Sequence, residues 1–398
     1  MSPTTYTARW IVPIDVPPID GGCVTIADGR IVAVGAHQPG LADIDFGDVA
    51  VLPGFVNAHT HLDLSGARGQ CPITGDFTHW LRRVIAFRMN RTPQQVQSDI
   101  GSGIAECLGF GTTCIGDISA GGTSWDLLQA ASCRSVVFHE VLGLTTERAE
   151  GNLRTLDADL ARHQPSDRSM AGISPHAPYS VRGSLFGELA NRILPTAIHL
   201  GETREELELL RSHTGPFVEF LKELGVWDAA GLVANPEAIL HLFPNGIFVH
   251  GNYLDSAQTF TPGQTVVLCP RTHSAFGHSR HPVLAWLERG VRIALGTDSL
   301  ASNPDLDILE EARHLHASYP EVGPTDVLRM FTQSGAEALG LDAVCGTLTA
   351  GKSADLVVLP LARDGTSDVV QNILQSRFSP TGVMWRGDWI FRHPGFPK

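Results

Sequence analysis

The middle of the chain alternates short apolar runs with longer segments whose apolar residues recur at helical spacing. Eight apolar runs predict β-strands, at residues 49–56, 112–116, 135–139, 170–174, 196–199, 246–250, 265–269 and 292–296. Helical patterns cover residues 93–108, 184–191, 205–224, 282–288, 306–318 and 325–339. Alternating strands and helices indicate an α/β fold with parallel strands. Eight such units favour a (β/α)8 TIM barrel, with an open doubly wound sheet as the alternative.

Both ends of the chain have a β-rich pattern. Strands are predicted at 8–12, 23–27 and 30–34, with a hairpin turn at Asp28-Gly29. Further strands are predicted at 355–359, 382–385 and 389–392. We expect the two ends to form one small β-sandwich domain from residues 1–50 and 346–398, beside a barrel of residues 51–345.

The composition of the chain limits the expected binding partners and the expected cellular compartment. The chain has 398 residues, enough for one barrel and a small second domain. Its formal net charge of -13 argues against nucleic acid or an anionic membrane as the main partner. The seven cysteines form no C-x-x-C pair, so neither a disulfide framework nor a structural zinc cluster is expected. The sequence has no signal-peptide pattern and no membrane-spanning run, which predicts a cytoplasmic protein.

Polar residues follow the ends of most predicted strands, where TIM barrels carry their active sites. A single histidine at a strand end is more often a hydrogen-bonded structural residue than a ligand. A set drawn from most strands favours one shared site. Its members are His59, His61, Asp117, His139, Glu140, His176, His199, Glu202, His250, Arg271 and Asp298.

Four of these residues form a candidate metal site. His59 and His61 are two positions apart, so an extended chain points both imidazoles to the same side. His199 and Asp298 each end an apolar run and complete a set of nitrogen and oxygen ligands. Zinc prefers such ligands, with Fe²⁺ or Mn²⁺ as alternatives. One divalent ion at this site would lower the pKa of water towards about 7 and supply a nucleophile at neutral pH.

Glu202 is the candidate proton carrier. It lies three residues after His199, close enough to reach over the ion without binding it. A carboxyl group in a dry pocket beside a metal suits general acid/base catalysis. Its structural alternative is a carboxylate at the N-terminus of the following helix, and the two roles are compatible.

Segments 51–61, 198–203, 249–252, 295–299 and 346–356 resemble, in order, the strand motifs of the amidohydrolase superfamily. The resemblance is to the branch of cytosine, guanine and adenosine-type deaminases and triazine chlorohydrolases. It implies that His59, His61, His199 and Asp298 bind the metal and that Glu202 shuttles protons. It also implies that His250 orients the attacking water and that Asp298 helps to protonate the leaving amine.

The distribution of lysine favours one metal ion over two. Binuclear members of this superfamily usually bridge their metals with a carbamylated lysine on the fourth strand. This chain contains only Lys222, Lys352 and Lys398, all beyond that strand. Glu140 is the nearest carboxylate that could bridge a second ion instead.

The substrate is suggested by a narrower resemblance. Segments 76–83, 174–180 and 269–273 resemble the group around aminofutalosine deaminase, an enzyme of an alternative menaquinone pathway. This implies hydrolytic deamination of a purine-like ring, with aminodeoxyfutalosine as the leading substrate. The alternatives are S-adenosylhomocysteine, methylthioadenosine or guanine deamination, or chlorohydrolysis on the same site. A non-catalytic scaffold is the hypothesis from a different class, and relatives suggest a homodimer or larger homo-oligomer.

Four residues are candidates for substrate contacts. Trp80 could stack on a base or be a core aromatic residue of a helix, and His176 could bond a ring or sugar oxygen. Arg271 and His273 could hold a substrate carboxylate or form a structural ion pair. Asp63, Asp117 and Glu140 are left without an assigned role, although they could orient the ligands.

Overall fold

The protein combines one mixed β-sheet from both ends of the chain with parallel strands and helices between them. The computed structural model describes residues 2–37, 40, 42–362 and 368–397. The strands are β1 (Thr4–Ile11), β2 (Ile19–Ala27), β3 (Arg30–Ala36), β4 (Ile44–Asp45), β5 (Val49–Pro53), β6 (Phe55–Thr60), β7 (Thr112–Ala120), β8 (Arg134–Val141), β9 (Ser169–Pro175), β10 (Ala197–Leu200), β11 (Ile247–His250), β12 (Thr265–Leu268), β13 (Arg292–Leu295), β14 (Leu356–Pro360), β15 (Gly382–Trp385) and β16 (Asp388–Arg392).

Helices connect most of the parallel strands. They are α1 (Phe77–Met89), α2 (Pro93–Gly109), α3 (Trp125–Ala130), α4 (Thr146–Arg162), α5 (Gly183–Ala190), α6 (Arg204–Ser212), α7 (Pro216–Glu223), α8 (Pro236–Leu242), α9 (Pro270–Ala275), α10 (Val283–Glu288), α11 (Ile308–Ser318), α12 (Pro324–Met330), α13 (Gln333–Ala338) and α14 (Val369–Gln375). Among the described residues, no helix is both long and apolar enough to cross a membrane.

The eight predicted strands of the middle segment are all present, and their order confirms a mixed α/β fold. Their pairing gives two four-stranded parallel sheets, β6-β7-β8-β9 and β10-β11-β12-β13. Single parallel bridges join the sheets at two seams, between Ile173 and Thr196 and between Thr60 and Asp298. The pairing of the described residues thus gives two half-sheets that contact each other at both edges, and the predicted continuous eight-stranded barrel is not shown.

The two ends of the chain build the third sheet together. Its order is β16-β15-β14-β5-β1-β2-β3, with β4 beside β1. Strands from the two ends of the chain share one sheet, as predicted. The predicted two-layer β-sandwich is not shown, because the described strands pair into a single sheet. The strand predicted at residues 49–56 divides at Gly54 into β5 of this sheet and β6 of the parallel strands. A Cβ at Gly54 would lie 2.0 Å from Thr113 Oγ1, so this crossing point requires glycine.

A buried ion pair fixes the terminal sheet to the parallel strands. Arg134 begins β8, and its guanidinium bonds the carboxylate of Asp355, which directly precedes β14. Both side chains are at most 6% exposed, and Ser353 Oγ accepts a further hydrogen bond from Arg134. The position of the parallel strands relative to the terminal sheet therefore depends on an ion pair that is buried away from water.

Candidate metal centre and active site

Histidine and aspartate side chains from four separate parts of the chain converge where the parallel strands end. His59 lies in β6, His61 directly after it, and His199 in β10. Two groups have ligand atoms within 4.8 Å of one another: His59, His61 and His199, and His59, His250 and Asp298. All of these residues are buried. The structure therefore brings together the four predicted metal ligands, with His250 beside them.

The contacts within this group fit a divalent cation. His61 Nε2 lies 3.3 Å from His199 Nε2, and Asp298 Oδ1 lies 3.7 Å from Nε2 of both His59 and His61. Both ring nitrogens of His59 are buried without a hydrogen-bond partner. Buried polar atoms normally have partners because leaving them unpaired is costly. Three imidazoles and one carboxylate in this arrangement are a common donor set for zinc.

The surroundings of His199 leave one ring nitrogen available to a cation. Its Nδ1 lies 3.0 Å from the carbonyl oxygen of His176, so the Nδ1–H donates to that oxygen and Nε2 keeps its lone pair. Burial, with the neighbouring imidazoles, lowers the pKa of His61 and of His199 well below the ordinary value. Both rings are therefore held neutral, the form that binds a metal.

Two residues of this group have unusual backbone conformations. His250 has a φ of 71° and Asp298 a φ of 56°, in the left-handed region that non-glycine residues rarely adopt. Such conformations persist when the surroundings impose them. At Asp298 the surroundings include the Thr60 hydroxyl, which donates to the Asp298 carbonyl oxygen at 2.9 Å. His250 is the last residue of β11, and Asp298 follows the end of β13 by three residues, so both side chains enter the site at the ends of their strands.

Glu202 faces the same group from the loop after β10. Its Oε1 lies 3.4 Å from His250 Nε2. Burial raises the pKa of Glu202 well above its usual range, and the nearby carboxylates of Asp298 and Glu206 raise it further. A carboxyl group with a raised pKa can both take up and release a proton near neutral pH.

The backbone around Glu202 is fixed by Glu206, which the sequence analysis did not single out. The Glu206 carboxylate accepts hydrogen bonds from the N–H groups of Gly201 and Glu202, each at 3.0 Å. Thr203 caps α6 by accepting from the Glu206 N–H. The T-x-x-E spacing of residues 203–206 was the available signal, since it is typical of a helix N-terminus.

A small cavity opens beside the group. It encloses about 60 Å³, well below the roughly 300 Å³ at which ligand clefts begin. Trp80 and His176, both predicted to contact substrate, line it. Trp80 Nε1 donates to the Ala301 carbonyl oxygen at 3.3 Å, and its ring packs on Phe276. Trp80 is therefore both a cavity wall and part of a buried aromatic cluster.

The other two predicted substrate contacts lie elsewhere. Arg271 is in α9, where its guanidinium bonds Glu311 at 2.7 Å and Asp305 at 2.8 Å. His273 Nδ1 lies 3.0 Å from Asn252 Oδ1 and borders a separate cavity of about 320 Å³. Neither residue lines the cavity beside the metal group, and their role in substrate binding stays a prediction.

The acidic residues without an assigned role surround Arg88, which the sequence analysis did not identify. Arg88 forms an ion pair with Asp63 at 2.9 Å and lies 3.6 Å from Glu140. Asp117 accepts from the Leu62 N–H at 2.9 Å and so fixes the chain just after His61. An arginine on an ordinary polar helix face carries no sequence signal that distinguishes it from a solvated one.

The sequence also matches known proteins over nearly its whole length. The profile of the Amidohydrolase family matches residues 50–390. A 5-methylthioadenosine/S-adenosylhomocysteine deaminase of Syntrophobacter fumaroxidans is 31% identical over 369 residues, covering 85% of this chain and 80% of the relative. An aminodeoxyfutalosine deaminase of Nitratiruptor sp. is 27% identical over 361 residues, covering 85% and 86%.

Solved structures show the same fold. An adenosine deaminase from Xanthomonas campestris with bound zinc superposes with a TM-score of 0.82 at 23% identity, covering 99% of this chain and 94% of that one. The family match covers both the parallel strands and the returning terminal strands. The chain is therefore a member of the amidohydrolase family and a hydrolase that acts on carbon–nitrogen bonds.

Proposed function

We propose that this protein is a metal-dependent hydrolytic deaminase of adenosine-like nucleosides. The observation that carries the proposal is the buried carboxyl group of Glu202, facing His250 beside a group of three histidines and an aspartate. Relatives that match most of the chain are named as deaminases of such nucleosides. Water attacks the ring carbon that carries the amino group, ammonia leaves and a ring carbonyl remains.

The metal would be held by His59, His61, His199 and Asp298. Zinc is the leading candidate because it prefers this donor set, with Fe²⁺ or Mn²⁺ as alternatives. When bound, the ion activates water for attack at neutral pH. The two separated half-sheets supply these ligands, and we propose that they form one closed (β/α)8 barrel around the site.

The chain's own residues direct the protons. Glu202 takes the proton of the attacking water and delivers it to the ring nitrogen next to the reacting carbon. His250 Nε2 faces Glu202 and orients the water. Asp298 helps to move a proton to the departing amine, which leaves as ammonia. Proton transfers of this kind contribute about 10²–10⁴-fold in rate.

Aminodeoxyfutalosine is the leading substrate, on the resemblance of residues 76–83, 174–180 and 269–273 and on the named relative. Methylthioadenosine and S-adenosylhomocysteine are alternatives from other named relatives. The cavity of about 60 Å³ is too small for a nucleoside, so its walls, which include Trp80 of α1, have to open to admit substrate. We place the reaction in the cytoplasm.

The test is a panel of substrates offered to zinc-loaded protein, followed by ultraviolet absorbance and ammonia release. The panel comprises aminodeoxyfutalosine, S-adenosylhomocysteine, methylthioadenosine, 5′-deoxyadenosine, adenosine and guanine. We expect ammonia from the nucleosides, with aminodeoxyfutalosine turned over fastest. Absence of ammonia from every compound, with metal bound, would refute the deaminase assignment. Protein that binds no metal would favour a non-catalytic scaffold.

A further inference from the structure

Glu140, in β8, presents an unpaired carboxylate oxygen at the edge of the cavity. Its side chain is only 3% exposed, and Oε1 is buried without a hydrogen-bond partner. The residue lines the same cavity as His61, His199 and Glu202. A carboxylate oxygen accepts hydrogen bonds and donates none. A buried acceptor without a donor is costly, so this part of the cavity calls for a donor from outside the chain.

The neighbours of Glu140 do not supply that donor. Arg88 Nη1 lies 3.6 Å from the other oxygen, Oε2, and the guanidinium forms its closer ion pair with Asp63 at 2.9 Å. His176 Nε2 lies 3.8 Å from Oε1, beyond hydrogen-bond distance. Arg88 therefore holds the carboxyl group from one side and leaves Oε1 facing the cavity.

Glu140 is also set apart from the reacting end of the site. Its Oε1 lies 3.8 Å from His176 Nε2, and 4.9 Å separates the ring centroids of His176 and His199. The ring centroids of His199 and His250, which faces Glu202, are 5.4 Å apart. A substrate whose amino group lies at Glu202 therefore presents another part of itself to Glu140.

The chemistry of an adenosine-like substrate identifies that part. The amino group is the only donor on the adenine ring of such a nucleoside, because N1, N3 and N7 are acceptors and N9 carries the sugar. All other hydrogen-bond donors lie on the sugar and on the groups attached to it. The sugar hydroxyls are the donors that all such nucleosides share. A buried carboxylate is a strong acceptor for a hydroxyl group.

We propose that Glu140 Oε1 accepts a hydrogen bond from a ring hydroxyl of the substrate's sugar and so selects ribonucleosides. This inference rests on the proposed deaminase function. Arg88 and Asp63 are positioning residues that fix the Glu140 carboxyl group. Rings without a sugar, such as guanine or triazines, leave Oε1 unpaired and are therefore poor substrates.

The test compares adenosine with 2′,3′-dideoxyadenosine, which differ only in the two ring hydroxyls. In the wild-type protein we expect kcat/KM to favour adenosine at least about tenfold, the worth of one hydrogen bond to a charged group. In Glu140→Ala this preference should fall towards one. Glu150→Ala, an exposed glutamate of α4, is the matched control and should keep the wild-type preference.

The results of this comparison distinguish the sugar contact of Glu140 from the deaminase function. A purely structural role for Glu140 would lower both kcat/KM values together, and an unchanged preference would overturn the sugar contact alone. If Glu140→Ala does not fold, Glu140→Gln gives the same comparison with a smaller expected change. Dissociation constants of both nucleosides for Glu202→Gln measure the preference without turnover. No ammonia from any nucleoside with the wild-type protein would overturn the deaminase function itself.

Discussion

At the scale of single residues, the proposed mechanism distinguishes residues that would hold the metal from a residue that would move protons. His61 Nε2 and His199 Nε2 lie 3.3 Å apart, whereas Glu202 Oε1 faces His250 Nε2 at 3.4 Å. Removing a ligand and removing the proton carrier should therefore have different effects on metal content.

Glu202→Gln keeps the size of the side chain but cannot accept and release a proton in the same way. We expect the variant to bind metal as the wild type does and to lose about 10²–10⁴-fold in kcat. His61→Ala, by contrast, should lose metal and activity together. Elemental analysis of the purified proteins and steady-state deamination measure both effects. A Glu202→Gln protein with full activity would contradict the proton-shuttle role.

The four candidate metal ligands could be identified from the sequence because each stands at the end of an apolar run, in a spacing that brings its side chain to one side. Trp80 and His176 lie in the cavity wall, and their contacts with substrate stay a prediction. Arg271 forms the ion pair that was the alternative to a substrate contact, with Glu311 as its partner. Glu311 is 40 residues away in the sequence, so no local pattern identifies it as the partner, and the same holds for Arg88 and Asp63, which are 25 residues apart.

At the scale of elements, the strand after which Asp298 turns inward packs tightly on β6. Gly296 follows β13, and a Cβ there would lie 2.7 Å from both the Cβ and the carbonyl oxygen of His59. Backbone atoms in a paired strand cannot give way easily. The absence of a side chain at Gly296 therefore fixes how closely the first and last parallel strands approach.

Gly296→Ala should lower the free energy of unfolding by about 1–3 kcal/mol, because it overpacks this contact, and should weaken metal binding through His59. Gly187→Ala in α5 is the matched control. A Cβ at Gly187 meets nothing within 4 Å, so helix propensity should raise stability by up to about 1 kcal/mol. Urea unfolding and zinc titration report both quantities. Equal free energies of unfolding for the two variants would show that the contact between Gly296 and His59 has room for a Cβ atom.

The sequence predicted the type of most elements better than their ends. The single helix predicted at 205–224 is divided into α6 and α7, because His213 has a φ of 55° and Gly215 a φ of 90°. Helical periodicity continues across such a break because it reflects burial rather than backbone angles. The strongly polar α4 buries only Ala149 and Leu156, which leaves little periodic signal to detect.

At the scale of the whole molecule, the pair of Arg134 and Asp355 connects the parallel strands to the terminal sheet. Burial raises the pKa of Asp355, although Arg134 opposes this. Removing the arginine would leave the carboxylate buried without its counter-charge. Breaking a buried pair from one side typically costs about 3–5 kcal/mol.

Arg134→Met should therefore lower the free energy of unfolding by about 3–5 kcal/mol near neutral pH. A raised folded pKa means that stability is lost as pH rises above the unfolded value of about 4. The deficit of the variant should accordingly be smaller near pH 5 than near pH 8. Arg9→Met, which breaks an exposed pair with Asp20, should cost less than about 1 kcal/mol. Urea unfolding at both pH values would decide, and a deficit independent of pH would argue against a buried charge.

The terminal sheet also has a consequence for the order in which the chain acquires its structure. β5 (Val49–Pro53) pairs with β14 (Leu356–Pro360), so during synthesis β5 has no partner on that edge until β14 has been made. At typical rates of synthesis this delay lasts on the order of 15–60 s. Throughout that interval one edge of the early strands stays open to other chains. Crowded expression should therefore produce aggregates seeded by the beginning of the polypeptide, and slower initiation or chaperone binding to that edge should relieve them.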